Sequence, residues 1–170
     1  MAGNQNPMLE VQLKKIVLNI GTGNDKQKQE SARKLLELIT KRKIADSISK
    51  RRIPSFGISK GSKIGAFVTI RDGTEKLAMK LFDAVDSKIK ESSISNNTVS
   101  FGIREYIDIS GIKYDPKLGM LGMNVNLHFA RKGMRVATRK IKKATPSKQH
   151  STISKNEIID YLTKHNISVV

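Results

Sequence analysis

Ser55-Phe56-Gly57-Ile58-Ser59-Lys60-Gly61-Ser62-Lys63-Ile64-Gly65-Ala66-Phe67-Val68-Thr69-Ile70-Arg71 changes character halfway along. Its first half is glycine-punctuated and basic, which predicts an exposed loop or ribbon over Ser55, Phe56, Gly57, Ile58, Ser59, Lys60, Gly61, Ser62 and Lys63. From Ile64 the pattern alternates. Ile64, Ala66, Val68 and Ile70 turn to one side, and Gly65, Phe67, Thr69 and Arg71 to the other, the period of a strand with one buried face.

Working outward, the same logic applies twice more. Leu9–Ile20 reads as a strand with Ile16, Leu18 and Ile20 on one face and Lys15, Val17 and Asn19 on the other. Met120–Phe129 alternates between Met123, Val125, Leu127, Phe129 and Asn124, Asn126, His128. Between the first strand and the quoted stretch, Gly21-Thr22-Gly23-Asn24 turns the chain. Asn24 or Asp25 then caps a helix to about Arg42, with a stripe of Ala32, Leu35, Leu36 and Ile39. Ile44–Ser49 is a weaker strand. Beyond the stretch, Asp72 with Glu75 predicts a second helix carrying Leu77, Ala78, Leu81, Phe82, Val85 and Ile89. Val99–Ile109 reads as extended and broken at Gly102. Ser154 with Glu157 is a capping box before Ile158, Ile159, Tyr161 and Leu162.

Three strands with one apolar face, and two amphipathic helices that follow strands, predict an α+β two-layer sandwich: a mostly antiparallel sheet with helices on one face. The opposite face would then carry Asn19, Phe67, Thr69, Arg71, Asn124, Asn126 and His128, a set of groups suited to RNA. The organisation expected is a core over 6–130, a basic arm over 131–150, and a C-terminal helix and tail over 151–170 that packs back on the core.

Charge narrows the partner. Across 170 residues, 32 Lys and Arg against 15 Asp and Glu give a net charge of +17. Such self-repulsion calls for a polyanionic counter-surface. Residues 41–63 hold eight of the cations against Asp46 alone, and residues 131–150 hold eight with no acid. Arg51, Arg52, Arg131, Arg135, Arg139, Lys140, Lys142 and Lys143 are therefore the expected contacts to a phosphate backbone. A membrane surface fits less well, because the cations fall in loop and arm and not on an amphipathic helix. No apolar run approaches a bilayer span, which takes roughly 18–20 residues. Met1–Pro7 shows no secretory signal, and the absence of cysteine removes disulfides and thiol chemistry.

Catalytic signatures fail on inspection. Gly21-Thr22-Gly23 lacks the third glycine of a dinucleotide loop, since position 26 is Lys26. Gly57–Lys63 lacks the residue order of a phosphate loop. His128, His150 and His165 have no metal-ligand spacing. No catalytic residue, cofactor or metal is expected. An RNA-processing factor carrying a basic RNA-binding domain remains the alternative to a structural role.

Four blocks carry a resemblance: Asn6-Pro7-Met8, Val17–Gly23, Phe56–Arg71, and Ser100–Glu105 through Lys113–Pro116 to Gly119–Val125. Together they resemble the family of universal ribosomal protein five of the large subunit, in its archaeal and eukaryotic form, over roughly residues 6–165. The resemblance implies a cytoplasmic ribosomal protein of the central protuberance. Its expected partners are 5S rRNA, large-subunit (23S-type) rRNA, P-site tRNA, small-subunit ribosomal protein thirteen and other central-protuberance proteins. The family's 5S-contacting polar set has Asn, Gln, Thr and Asp. Asn19 and Thr69 match it; Arg42 stands where Gln is expected and Asn124 where Asp is expected, and Arg71 joins them from the sheet-face reading. The family's loop toward P-site tRNA falls on Ser55–Gly65, with Ser55–Lys63 as the expected contacts.

Overall fold

The computed structural model describes residues 6–170; the reading of Met1–Gln5 as free of a secretory signal lies outside the described residues. The elements in chain order are β1 (Val11–Gly21), α1 (Lys26–Thr40), β2 (Ala45–Ile48), β3 (Lys63–Ile70), α2 (Thr74–Asp83) and β4 (Lys88–Ile89). They continue with β5 (Ile94–Ser95), β6 (Thr98–Ile103), β7 (Met123–Arg131), α3 (Arg135–Thr138), α4 (Lys148–Ser151), α5 (Lys155–Lys164) and β8 (Ser168–Val169). Six strands form one antiparallel sheet in the order β2-β3-β1-β7-β6-β5. β4 and β8 pair separately in parallel.

The alternation seen in the sequence sets the layers. Ile16, Leu18, Ile20, Ala66, Val68, Ile70, Val125, Leu127 and Phe129 are all buried in one cluster. Ala32, Leu35 and Leu36 of α1, Ala78, Leu81 and Phe82 of α2, and Ile158 and Leu162 of α5 join that same cluster. The helices therefore lie on one face of the sheet, and each of the larger apolar side chains contributes about 1.5–3 kcal/mol by leaving water. The α+β two-layer sandwich is the architecture observed.

Helix ends follow sequence where caps are local. Asp25 accepts from Gln27 and Lys28 N–H to start α1, which stops at Lys41 in the left-handed region (φ 52°). Ser154 accepts from the Glu157 N–H to start α5. The second helix departs from its expected form at both ends. Gly73, at φ 67°, takes the cap position with no side-chain cap, and the Asp72 carboxylate lies 3.3 Å from Arg42. The helix ends at Asp83, and Asp86 and Ser87 at φ 53° reverse the chain. Ile89 is buried as a strand residue beside β8, not as a helical one. The extended reading of Val99–Ile109 is likewise corrected: β6 ends at Ile103, and Tyr106 turns fully into the core, its hydroxyl accepting the Asp115 N–H at 3.1 Å.

The 131–150 segment is not a bare arm. Arg131 belongs to β7, and two single-turn helices follow. Its far end returns to its root, where the Arg131 guanidinium donates to Gln149 O at 2.6 Å and His150 Nε2 lies 2.9 Å from Lys132 O.

Candidate nucleic-acid interface

Strand register places the polar residues of the uncovered sheet face in rows. Phe67 and Asn124 flank Asn19 on either side as direct cross-strand partners, with Ala45 beyond Phe67 and Gly102 beyond Asn124. The next row runs Thr69, Val17, Asn126, Ser100, and the one after it Lys15, His128, Thr98. Cross-strand neighbours on one face stand about 4.5–5.5 Å apart. Asn19, Asn124 and Thr69, far apart in the chain, thus form one patch with Phe67 in their midst. Ser100 and Thr98 belong to this face too. Reading β6 as merely extended misses them, although the buried Val99 and Ile103 carry the alternation.

The patch runs into a shallow depression lined by Asn19, Gly21, Gly102, Arg104, Gly122 and Asn124. Above Gly21 nothing lies within 4 Å of where a Cβ would stand. A floor of bare backbone lets a sugar–phosphate chain approach closely. Gly122 is required for a different reason: its Cβ would stand 2.9 Å from Arg104 O.

His128 sits on this face between polar neighbours. Partial burial and the nearby Lys15 and Lys14 ammonium groups hold its pKa below the usual histidine value, opposed more weakly by a hydrogen bond that the ring donates to the Asn97 backbone. Phosphates brought beside Lys14 and Lys15 would relieve that repulsion and favour the protonated ring.

The second feature is the loop between β2 and β3. Gly57 and Gly61 take φ of 63° and 86°, which side chains resist. Gly65 does not act this way. It lies inside β3, where a Cβ would stand 2.6 Å from Ile20 O. The loop is also less polar in its packing than its composition suggests, since Ile58 is buried. Its base is closed by hydrogen bonds between Ser49 and both Ser62 and Gly61 at 2.9 Å.

A buried network supports that base. Gln29, 7% exposed, accepts from the Thr22 hydroxyl at 3.0 Å and donates to Gly65 O at 3.1 Å and to Asp46 at 3.3 Å. Asp46 also meets Lys63 at 2.8 Å and Arg33 at 3.2 Å. The Lys63 hydrogen bond, with the Arg33 and Lys63 charges, outweighs burial and holds the Asp46 carboxyl below its ordinary value.

The cations divide accordingly. Lys63 is held by Asp46 and Arg42 by Asp72, so neither stands as a free cation of the loop or sheet face. Arg71 is exposed one residue past the end of β3, next to Asp72. Arg131, expected as a phosphate-backbone contact, is engaged within the fold. Its side chain is 11% exposed and turned inward onto Glu157 at 2.6 Å, where charge pairing and a backbone carbonyl occupy it. Arg51, Arg52, Arg135, Arg139, Lys140, Lys142 and Lys143 are exposed with no acidic partner among the described residues. Among the described residues there is no group of three His, Asp or Glu placed to hold a metal, and no helix long and apolar enough to cross a membrane.

An open, amide-rich sheet face beside unpaired cations defines a basic α+β protein built to lie against a polyanion. The family model described as "Ribosomal protein L5" matches residues 6–58, and the model for the C-terminus of the same ribosomal family matches residues 63–161. The chain belongs to the ribosomal protein L5 family, whose members are structural constituents of the ribosome and not enzymes. It is 40% identical over 168 residues to the large ribosomal subunit protein uL5 of Sulfurisphaera tokodaii, covering 97% of this chain and 95% of that one. The uL5 of Archaeoglobus fulgidus is 40% identical over 171 residues, with 99% and 94% covered. That of Nanoarchaeum equitans is 38% identical over 159 residues, with 92% and 94% covered.

Proposed function

We propose that this chain is a structural constituent of the large ribosomal subunit in the cytoplasm, where its open sheet face binds 5S rRNA. In that role it helps attach 5S rRNA to large-subunit rRNA in the central protuberance. The observation that carries the reading is the patch of Asn19, Asn124 and Thr69, set side by side by strand register on the face no helix covers. Asn19 and Asn124 offer amide donors and acceptors, and Thr69 offers a hydroxyl, all on rigid strands. Arg42, held by Asp72, would reach a phosphate only by leaving that partner. The loop Ser55–Lys63 is assigned to P-site tRNA. Small-subunit ribosomal protein thirteen and neighbouring central-protuberance proteins complete the contacts in this reading.

The test is 5S rRNA affinity of Asn19→Ala and Thr69→Ala. Each should lose on the order of 1–3 kcal/mol of binding where a buried partner is left unpaired. Melting temperature should hardly move, because neither side chain belongs to the core cluster. Unchanged 5S affinity for both variants would remove the sheet face from the interface.

A further inference from the structure

The ring of Phe56 is 74% exposed, while Ile58, two residues on, is 8% exposed. An aromatic left in water forgoes about 1.5–3 kcal/mol of burial, so its setting matters. That setting is stiff. Pro54 fixes the first position of a single 3-10 turn, and Gly57 closes it in the left-handed region. Ile53 and Ile58 exchange backbone hydrogen bonds at 2.8 and 3.1 Å, Phe56 N–H donates to Ile53 O, and Gly57 N–H donates to Pro54 O. Asn24, from the turn before α1, donates to Gly57 O at 3.1 Å. Ile58 anchors the turn below, and the phenyl ring is presented above with little left to lose in order.

Its surroundings select the occupant. Arg51, Arg52 and Lys60 flank the turn, and no acidic residue occurs between Asp46 and Asp72. A protein pocket closing over this ring would have to strip water from three unpaired cations. An unpaired nucleotide offers a flat π-face to the ring and phosphates to those cations together.

We propose that Phe56 is a base-stacking residue, laying its ring on an unpaired nucleobase while Arg51, Arg52 and Lys60 hold the adjoining phosphates. The inference rests on the reading of this loop as an RNA contact and names the chemistry of that contact. Stacking tolerates any base, so a mixed-sequence single-stranded RNA octamer is a sufficient probe.

The chain has no tryptophan, which makes Phe56→Trp a sole indole reporter at this position. In the full-length protein, the octamer should quench the indole, whereas an abasic octamer of equal charge and an eight-pair RNA duplex should not. Phe56→Ala should weaken octamer binding by about 5- to 150-fold with an unchanged dependence on salt, and Phe56→Tyr should restore it. Equal quenching by the abasic chain or the duplex overturns the proposal. So does Phe56→Ala binding the octamer as wild type does, the result expected if the ring fits a protein pocket. An unchanged melting temperature for Phe56→Ala guards against misfolding. Retained 5S binding that still depends on Asn19 would show that only the stacking assignment has failed; loss of all RNA binding by the wild-type chain would remove the wider reading.

Discussion

The two basic segments, 41–63 and 131–150, carry eight cations each, yet the fold uses them differently. Each gives two cations to acids: Arg42 to Asp72 and Lys63 to Asp46 in the first, Arg131 to Glu157 and Lys132 to Glu10 in the second. That leaves six cations on either side without an acidic partner among the described residues. In the first segment Arg51, Arg52 and Lys60 flank a stiff turn, pinned by Ile58 and displaying an aromatic ring. In the second the chain is secured at its two ends. Between them it makes only local bonds, such as Arg139 to Lys142 O at 2.7 Å, and residues 139–145 are all exposed. On the proposed reading, equal charge would serve two kinds of contact: one placed by geometry, the other able to follow whatever phosphates it meets.

Removing the second segment's free charge should produce the largest effect. Replacing Arg135, Arg139, Lys140, Lys142, Lys143 and Lys148 together with Gln should lower affinity for large-subunit rRNA by about 100-fold or more near physiological salt. The plot of log affinity against log salt should flatten by up to about five. Filter binding across a potassium chloride series measures both. The same replacement of Lys41, Lys43, Lys50, Arg51, Arg52 and Lys60 should flatten the slope less, because a fixed loop reaches fewer phosphates. Equal slopes for the two variants would erase the distinction drawn between the segments.

What sequence can reveal tracks how local the determining interaction is. The strand faces in Ile64–Ile70 and Met123–Phe129, the α1 stripe and the Ser154 cap all depend on neighbours a few positions away, and all are legible. The 5S candidates are legible only as belonging to one face. That Asn19 meets Asn124 directly depends on the pairing of β1 with β7, which periodicity does not encode. The end of α2 is misread because Ile89 continues a helical spacing, and its true partner, Val169, is 80 residues away. Charge density marks both basic segments, but which cations are available depends on acids brought in by folding. Asp46 to Lys63 spans a loop, and Arg131 to Glu157 spans the whole second segment.

The middle effect is on stability and separates anchor from display. Arg131→Met should destabilise the fold by about 2 kcal/mol. The guanidinium is nearly buried and holds both Gln149 O and the Glu157 carboxylate, although Glu157, 39% exposed, regains some water when left alone. Thermal unfolding measures this, and amide exchange at Ser151 and Thr152 should quicken as the return of the segment loosens. Arg139→Met, made in the exposed stretch, should leave the melting temperature within error of wild type. If Arg139→Met destabilised as much as Arg131→Met, the segment would be held along its length and not by its ends.

The smallest effect should appear at the first segment, and it should be lost only in acid. Asp46 joins α1, β2 and the start of β3 through Gln29, Arg33 and Lys63, and its folded pKa lies below the ordinary value of 3.8. A carboxyl depressed on folding stabilises the protein fully above its unfolded pKa, and that contribution drains away as pH falls through the lower folded value. The difference in melting temperature between wild type and Asp46→Asn should therefore be constant from about pH 5 to 8 and shrink only below about 4, the unfolded carboxylate range. High salt should reduce it at every pH, because the Lys63 and Arg33 partners are about half exposed. A difference that changed between about pH 5 and 8 would mean that some other group governs the base of the loop. A difference absent at all pH values would mean that Gln29 and the Ser49 bonds hold the turn alone, leaving Lys63 as free to reach RNA as Lys60.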